Sequence, residues 1–250
     1  MMVVAWWFDF LSALQFLTRL PVPTRPYQAD SLARAVKFFP LVGLLLGAVA
    51  GGLYLLLDPH LPRLAAATLV VAFLVVVTGG LHEDGLADVG DGFGGGWDRE
   101  QVLRILRDSR IGSYGGTALG LSLLARIALL AAVPRQGVVV AMMTAHMLCR
   151  WSTLPLSYFL PPARQEDGQG ARVAGLTSRS TLVGGTIFTL VAAFVLLGWR
   201  TLAPVLLALL VTLLTGLYYR RRIGGVTGDC FGATNQLCEI AVYLTAVWVA

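Results

Sequence analysis

The sequence predicts an all-α fold: a polytopic transmembrane helical bundle of about seven spans, with a range of roughly six to eight. The prediction depends on composition, on long apolar runs and on the uneven distribution of arginine. The chain of 250 residues is 56% hydrophobic and only 13% charged, and its mean hydropathy is +0.73. Because a soluble domain carries about 25% charged residues, much of this surface must face lipid.

The apolar runs divide the chain into successive helices, each about as long as a bilayer is thick. Residues 6–20 are interrupted by polar side chains and end at Pro21, which favours a helix at the interface or packed on the bundle over a lipid-facing span. The predicted spans are 37–57, 64–80, 114–133, 137–160, 181–198, 202–219 and 235–250. We therefore expect residues 1–250 to form a single integral membrane domain.

Seven spans place the connections alternately on two faces of the membrane. The connections on the first face are segments 1–36, 82–113, 161–180 and 220–234. Most arginines fall on that face, and the other face holds only Arg63, Arg135 and Arg200. Positively charged loops stay in the cytoplasm, so the catalytic segments 82–113 and 220–239 are expected on the cytoplasmic face. The same asymmetry explains the net charge of +5, and without a basic helix we expect no nucleic-acid partner.

The connection after the second span carries an acidic, glycine-rich motif, GGLHEDGLADVGDGFGGG. Asp84, Asp88 and Asp91 follow the spacing i, i+4, i+7, which places three carboxylates on one helix face. Like charges so close are unfavourable, and a divalent cation would offset them. Carboxylate oxygens suit Mg²⁺ or Mn²⁺, which also bind phosphate oxygens. The alternative is a solvated loop whose acids offset the arginines that follow.

Glycine and histidine in this motif carry weaker signals. The glycines at 92, 94, 95 and 96 would permit tight turns and a close backbone approach to a ligand, or simply give a flexible loop. His82 could act as a base or a ligand, although a lone histidine is more often a hydrogen-bonded bystander.

Arginines recur every three residues directly after the acidic motif, at Arg104, Arg107 and Arg110. We expect them to form a basic stripe that clamps a pyrophosphate beside the metal site, because cations bind phosphate oxygens well. Asp108 and Ser109 could orient these arginines or bind the metal directly. The alternative is that each arginine is a cytoplasmic anchor.

A second constellation, GGVTGDCFGATNQLCEI, lies near the C-terminus. Asp229 stands just before the last span, and Asn235 and Glu239 would share one helix face. A carboxylate inside a span is costly and marks a functional site by default. The alternative for Glu239 is a buried acid paired with a local arginine.

Five phrases together resemble the cobalamin-5'-phosphate synthase family, also called adenosylcobinamide-GDP ribazoletransferases: FLTRLPVP, KFFPLVGLLLGAV, HEDGLADVGDGFGGG, LRDSRIGSYG and GGVTGDCFGA. They run in order from Phe16 to Glu239. The resemblance implies a magnesium-dependent enzyme of the bacterial inner membrane in cobalamin biosynthesis. Such an enzyme joins α-ribazole or its 5'-phosphate to adenosylcobinamide-GDP and releases GMP. The family's acidic motif corresponds here to Glu83, Asp84, Asp88 and Asp91, with Asp229 in the second block.

The motifs and the resemblance together assign expected roles. The expected metal ligands are Asp84, Asp88 and Asp91, for Mg²⁺ or Mn²⁺; the candidate bases are Glu83 and Asp229; and the expected substrate contacts are Arg104, Arg107, Arg110, Asn235 and Glu239. The expected partners are adenosylcobinamide-GDP, α-ribazole or its 5'-phosphate, and the lipid bilayer. The sequence leaves open whether the protein forms a homo-oligomer.

Two other functions compete with this interpretation. A secondary transporter also has intramembrane acids, but it predicts inverted repeats, and the acidic motif has no second copy. The DGLAD core is also similar to the CDP-alcohol phosphotransferases, which bind two divalent metals. The chain departs from their longer pattern after Asp88, so a general base cannot be carried over from them.

Overall fold

The computed structural model describes residues 2–23, 31–164, 173–174 and 177–248. Over these ranges the secondary structure is helical, and the extended pairing is limited to a single parallel bridge between Pro162 and Val226. The all-α prediction is therefore confirmed. Parts of the predicted connections 1–36 and 161–180, and residues 249–250 of the last predicted span, lie outside the described residues.

The described residues form a succession of helices. They are α1 (Met2–Leu17), α2 (Ser31–Ala35), α3 (Phe39–Leu57), α4 (Arg63–Thr78), α5 (Leu81–Gly95), α6 (Arg99–Ile105), α7 (Ser113–Ala132), α8 (Val138–Trp151), α9 (Thr153–Phe159), α10 (Arg179–Leu197), α11 (Leu202–Ile223) and α12 (Gly228–Trp248). Short 3₁₀ turns precede α3, α8 and α11.

Most of the predicted spans each coincide with a single helix, but the span predicted at 137–160 does not. It is divided into α8 and α9 at Ser152. Pro155 lies in the first turn of α9 and has no N–H to donate to the preceding turn, which explains the interruption. The last helix begins at Gly228, earlier than predicted, so Asp229 belongs to its first turn.

Three helical runs in the described part of the chain are long and apolar enough to cross a membrane: Ser31–Leu57, Ser113–Ala132 and Arg179–Ile223. A fourth would be α4 together with α5, two helices bent by 90°. These lengths and compositions agree with a membrane bundle, while the count of seven spans stays a prediction.

The bend between α4 and α5 is made by two glycines in the left-handed backbone region. The φ angles are +69° at Gly79 and +70° at Gly80, values that L-residues with a side chain rarely adopt. The N–H of Arg19, beyond the end of α1, donates to the carbonyl of Val77 at 2.7 Å. The bend is thereby tied to the N-terminal helix.

Close backbone contacts hold the helices together elsewhere in the bundle. A Cβ atom added at Gly43 of α3 would lie 1.9 Å from the carbonyl oxygen of His146 on α8. Small residues commonly permit such approaches between membrane helices. The last helix, α12, packs against α5, α7, α8 and α11, so it lies where both predicted motifs can meet.

Candidate active site

Helices α5 and α12 touch through their backbones at Gly85 and Gly232. A Cβ atom at Gly85 would lie 2.9 Å from the carbonyl oxygen of Asp229 and 3.2 Å from the Cα atom of Gly232. Neither helix could approach so closely with larger residues at this crossing. The contact brings Asp84 and Asp88 of the first motif beside Asp229 of the second.

The aspartates of the two motifs form one electrostatic cluster. The charge on Asp88 is acted on by Asp229, Asp84 and Asp91, and by the opposite charge of Arg164. Asp84 is exposed, and Asp88 and Asp91 are half-buried. Asp229 accepts a hydrogen bond at Oδ2 from the Thr227 hydroxyl at 3.1 Å. The predicted metal ligands and one candidate base are therefore neighbours.

Asp91 also has a structural contact that the sequence did not suggest. Its Oδ2 accepts a hydrogen bond from the Gly112 N–H at 2.6 Å, and its Oδ1 accepts one from the Gly115 N–H at 2.8 Å. These donors belong to the start of α7, whose first N–H groups have no partner within the helix. Each carboxylate oxygen keeps a second lone pair, so a role as a metal ligand stays a prediction.

Glu83 points away from the aspartates into a buried polar network. Its Oε1 accepts hydrogen bonds from Arg126 Nη1 at 2.6 Å and Gln236 Nε2 at 3.2 Å. Arg126 Nε donates to Glu239 Oε1 at 2.9 Å. The structure thus shows the pairing with an arginine that the sequence left open for Glu239. Asn235 is buried nearby on the same helix, and the substrate contacts of Asn235 and Glu239 stay predictions.

His146 extends this network toward α8. Its Nδ1 lies 3.1 Å from Arg150 Nη1 and its Nε2 lies 3.2 Å from the Tyr243 hydroxyl. Among the described residues, the one group of three His, Cys, Asp or Glu side chains whose ligand atoms lie within 4.8 Å of one another is His146, Cys149 and Glu239. Two guanidinium groups already contact this group, so its charge and hydrogen bonding do not favour a metal ion.

The aspartate cluster fits a divalent cation better than that buried group does. Its donors are hard carboxylate oxygens, the kind Mg²⁺ prefers. Four acids with Arg164 as an opposing charge leave a negative excess that a cation would offset. The residues that would hold it are Asp84, Asp88 and Asp91, with Asp229 beside them.

The three arginines of the predicted basic stripe do not lie on one helix. Helix α6 ends at Ile105, so Arg104 lies on the helix while Arg107 and Arg110 follow it in a turn and a loop. All three side chains are exposed. The chain turns here to reach α7, and contact of these arginines with a diphosphate stays a prediction.

Arg110 is held by Asp108 within that loop. The guanidinium donates to the carboxylate at 2.6 Å and 2.9 Å. These hydrogen bonds lower the pKa of Asp108 to about 2. Asp108 therefore orients Arg110, as the sequence allowed.

The glycine-rich run forms the end of a helix and not the expected turns. Gly92, Gly94 and Gly95 lie within α5. A Cβ atom at Gly92 would lie 3.0 Å from the Leu106 side chain, and one at Gly94 would lie 2.7 Å from Tyr114. These glycines permit close packing against α6 and α7.

Two arginines at the site were missed by sequence reasoning. Arg126 interrupts the apolar run of α7, and that position was itself a signal because an arginine inside a span must be paired. Arg164 follows α9 and donates to the carbonyl of Leu103 at 2.7 Å. Its charge acts on both Asp88 and Asp229, and no local motif marked it.

Comparison with known proteins assigns the chain to a family. The family described as cobalamin-5-phosphate synthase matches residues 9–247. A protein of Sinorhizobium medicae named adenosylcobinamide-GDP ribazoletransferase is 42% identical over 255 residues, covering 94% of each chain. A protein of the same name from Shewanella frigidimarina is 39% identical and covers 96% of this chain and 94% of its own length. No solved structure matches the chain. The chain belongs to the cobalamin-5-phosphate synthase family.

Proposed function

We propose that this protein is a magnesium-dependent adenosylcobinamide-GDP ribazoletransferase. It joins α-ribazole or its 5'-phosphate to adenosylcobinamide-GDP and releases GMP, giving adenosylcobalamin or its 5'-phosphate. Family membership over residues 9–247 and the names of the relatives support the reaction. The observation that carries the proposal is the crossing of Gly85 with Asp229 and Gly232, which joins the two acidic motifs.

The reaction is a phosphoryl transfer. A hydroxyl oxygen of the ribazole forms a bond to the phosphorus next to the cobinamide, and the bond from that phosphorus to GMP breaks. The hydroxyl proton passes to a carboxylate. A bound Mg²⁺ would neutralise charge on the phosphoryl oxygens, and Asp84, Asp88 and Asp91 are the residues that would hold it.

Asp229 is the better candidate for the base. A base must reach the hydroxyl through a free oxygen. Glu83 is buried in the core, where its Oε1 is shared between Arg126 and Gln236 and its Oε2, which has no hydrogen-bond partner among the described residues, is also enclosed. Asp229 receives one side-chain hydrogen bond, from Thr227, and lies among the aspartates. We assign proton transfer to Asp229 and a supporting role to Glu83.

The proposed setting is the bacterial inner membrane, crossed about seven times. The acidic cluster would face the cytoplasm, because the connections that carry it are also rich in arginine. A reporter fused to the C-terminus tests this orientation: seven spans with a cytoplasmic N-terminus require the reporter to lie outside the cytoplasm.

The test of the reaction is GMP release by the purified protein. Adenosylcobinamide-GDP and α-ribazole are mixed with enzyme in detergent, first with a chelator and then with Mg²⁺ or Mn²⁺ restored. We expect release that requires the metal. Asp88→Asn should abolish it, whereas Asp58→Asn, which alters an acid paired with Arg135 elsewhere, should not. If the wild type releases no GMP with metal present, a CDP-alcohol phosphotransferase or a transporter would be favoured.

A further inference from the structure

A large cavity separates α1 from the start of α5. Its volume is about 1640 Å³. The polar part of its lining includes Asp9, Ser12 and Gln15 from α1, Arg34 from α2, and Asp84 from α5. The cavity therefore opens beside the aspartate cluster, since Asp84 belongs to both.

Arg19 lies on the wall of this cavity, at the bend between α4 and α5. A Cβ atom added at Gly79 would lie 2.2 Å from Arg19 Nε, so the side chain runs directly over that glycine. The backbone N–H of Arg19 donates to Val77 at 2.7 Å, which fixes where the side chain begins. Gly79 thus permits both the bend and the position of Arg19.

Within the described residues, the Arg19 guanidinium takes part in none of the hydrogen bonds or ion pairs, and the side chain is exposed. The other arginine of the cavity, Arg34, is already paired with Asp9 at 3.3 Å. An arginine fork binds phosphate oxygens in a bidentate manner. Arg19 and the predicted metal ligand Asp84 line the same cavity, an arrangement that suits a diphosphate.

We infer that this cavity binds the larger, nucleotide-activated substrate, and that Arg19 contacts its diphosphate beside Asp84. The inference rests on the proposed function and names the substrate that occupies this side of the site. Pockets for drug-sized molecules measure about 300–1,000 Å³, and α-ribazole is no larger than such molecules. A corrinoid that carries a nucleotide is far larger and matches the cavity volume of about 1640 Å³. Its peripheral amides would find polar partners in Ser12 and Gln15.

Equilibrium binding without turnover tests this assignment. Purified protein in detergent, with a chelator present, is titrated with adenosylcobinamide-GDP, with adenosylcobinamide and with α-ribazole. The variants are Arg19→Gln, Arg19→Lys and Gln15→Trp. The matched control is Arg200→Gln, which changes an exposed arginine of the turn before α11. Thermal unfolding of each variant checks that it is folded.

Arg19→Gln is expected to weaken binding of adenosylcobinamide-GDP about ten- to a hundredfold, as expected for the loss of charge-assisted hydrogen bonds. It should leave binding of adenosylcobinamide, which lacks the diphosphate, unchanged. Arg19→Lys should retain part of the affinity. Gln15→Trp should weaken both corrinoids because it fills the cavity, and Arg200→Gln should change none of the three.

Two results would overturn the inference while the proposed function stands. In the first, the wild type releases GMP, but Arg19→Gln and Gln15→Trp leave both the binding and the KM of adenosylcobinamide-GDP unchanged. The other is a loss confined to α-ribazole, which would assign the cavity to the smaller substrate. Failure of the wild type to release GMP would instead reject the reaction itself.

Discussion

Arg126 Nη1 lies 2.6 Å from Glu83 Oε1, and both side chains are buried. The same guanidinium donates through Nε to Glu239 at 2.9 Å. One cation therefore joins α5, α7 and α12 behind the aspartate cluster. Because water cannot reach this place, each charge depends on the others for its solvation. The network fixes the helix that carries the predicted metal ligands.

Removing the Arg126 cation from this network should make the protein less stable. Arg126→Leu leaves two buried carboxylates without a partner, and we expect a loss of about 3–5 kcal/mol in the free energy of unfolding. The measurement is denaturant or thermal unfolding in detergent. The control is Arg135→Leu, which removes an exposed arginine from its 3.3 Å contact with the largely buried Asp58 carboxylate and should cost about 0–1 kcal/mol. Equal losses in the two variants would contradict the interpretation.

The crossing of α5 and α12 should not tolerate a side chain. Gly85→Ala places a Cβ atom 2.9 Å from the Asp229 carbonyl oxygen, so the helices must separate and the two acidic motifs move apart. We expect GMP release to fall by at least about tenfold, since small misplacements cost catalysis heavily. In Gly120→Ala on α7 the new methyl meets open space, and the change should stabilise the helix by up to about 1 kcal/mol. Normal turnover in Gly85→Ala would show that the contact is unimportant.

Two aspartates of the cluster should respond differently to substitution. Asp84→Asn should abolish turnover without altering stability, because Asp84 is exposed and its carboxylate takes part in none of the hydrogen bonds or ion pairs between described residues. Asp91→Asn should lower activity and also stability by about 0.5–2 kcal/mol, the usual cost of losing an N-terminal cap. Activity and unfolding are measured on the same preparations. An Asp91→Asn protein as stable as Asp84→Asn would argue against the capping contacts.

Arg110→Ala should affect substrate binding less than Arg19→Gln. The charge of Arg110 is already countered by Asp108, whose pKa it lowers to about 2. A carboxyl with a lowered pKa is ionised above that value, so the pair persists throughout the neutral range. The KM ratio of Arg110→Ala to wild type should thus be the same at about pH 6 and about pH 8. A strong pH dependence of that ratio would contradict the pairing.

Local patterns in the sequence predicted the helices and the aspartate cluster. Apolar runs of bilayer length marked α3, α4, α7, α10 and α11, because burial in lipid requires them. The spacing of Asp84, Asp88 and Asp91 placed them on one helix face. The alternation of the predicted spans placed Asp229 on the same face of the membrane, and the family resemblance joined the two motifs in one site.

Long-range pairing could not be predicted from spacing. Arg126 contacts acids on two other helices, and no periodicity relates those positions. The glycine run was ambiguous for a similar reason. Glycine permits turns and also permits helices to touch, and the choice depends on neighbours such as Leu106 and Tyr114 that are brought there by the fold.

The contact between Gly85 and Asp229 also bears on the order in which the protein is made. Synthesis proceeds from the N-terminus, so α5 leaves the ribosome long before α12. Until α12 arrives, Asp84 and Asp88 lack Asp229, and Glu83 and Arg126 lack Glu239 and Gln236. A chain that stops before the last helix would carry the acidic motif but no complete site. Activity is therefore expected only after the final segment has been made and docked.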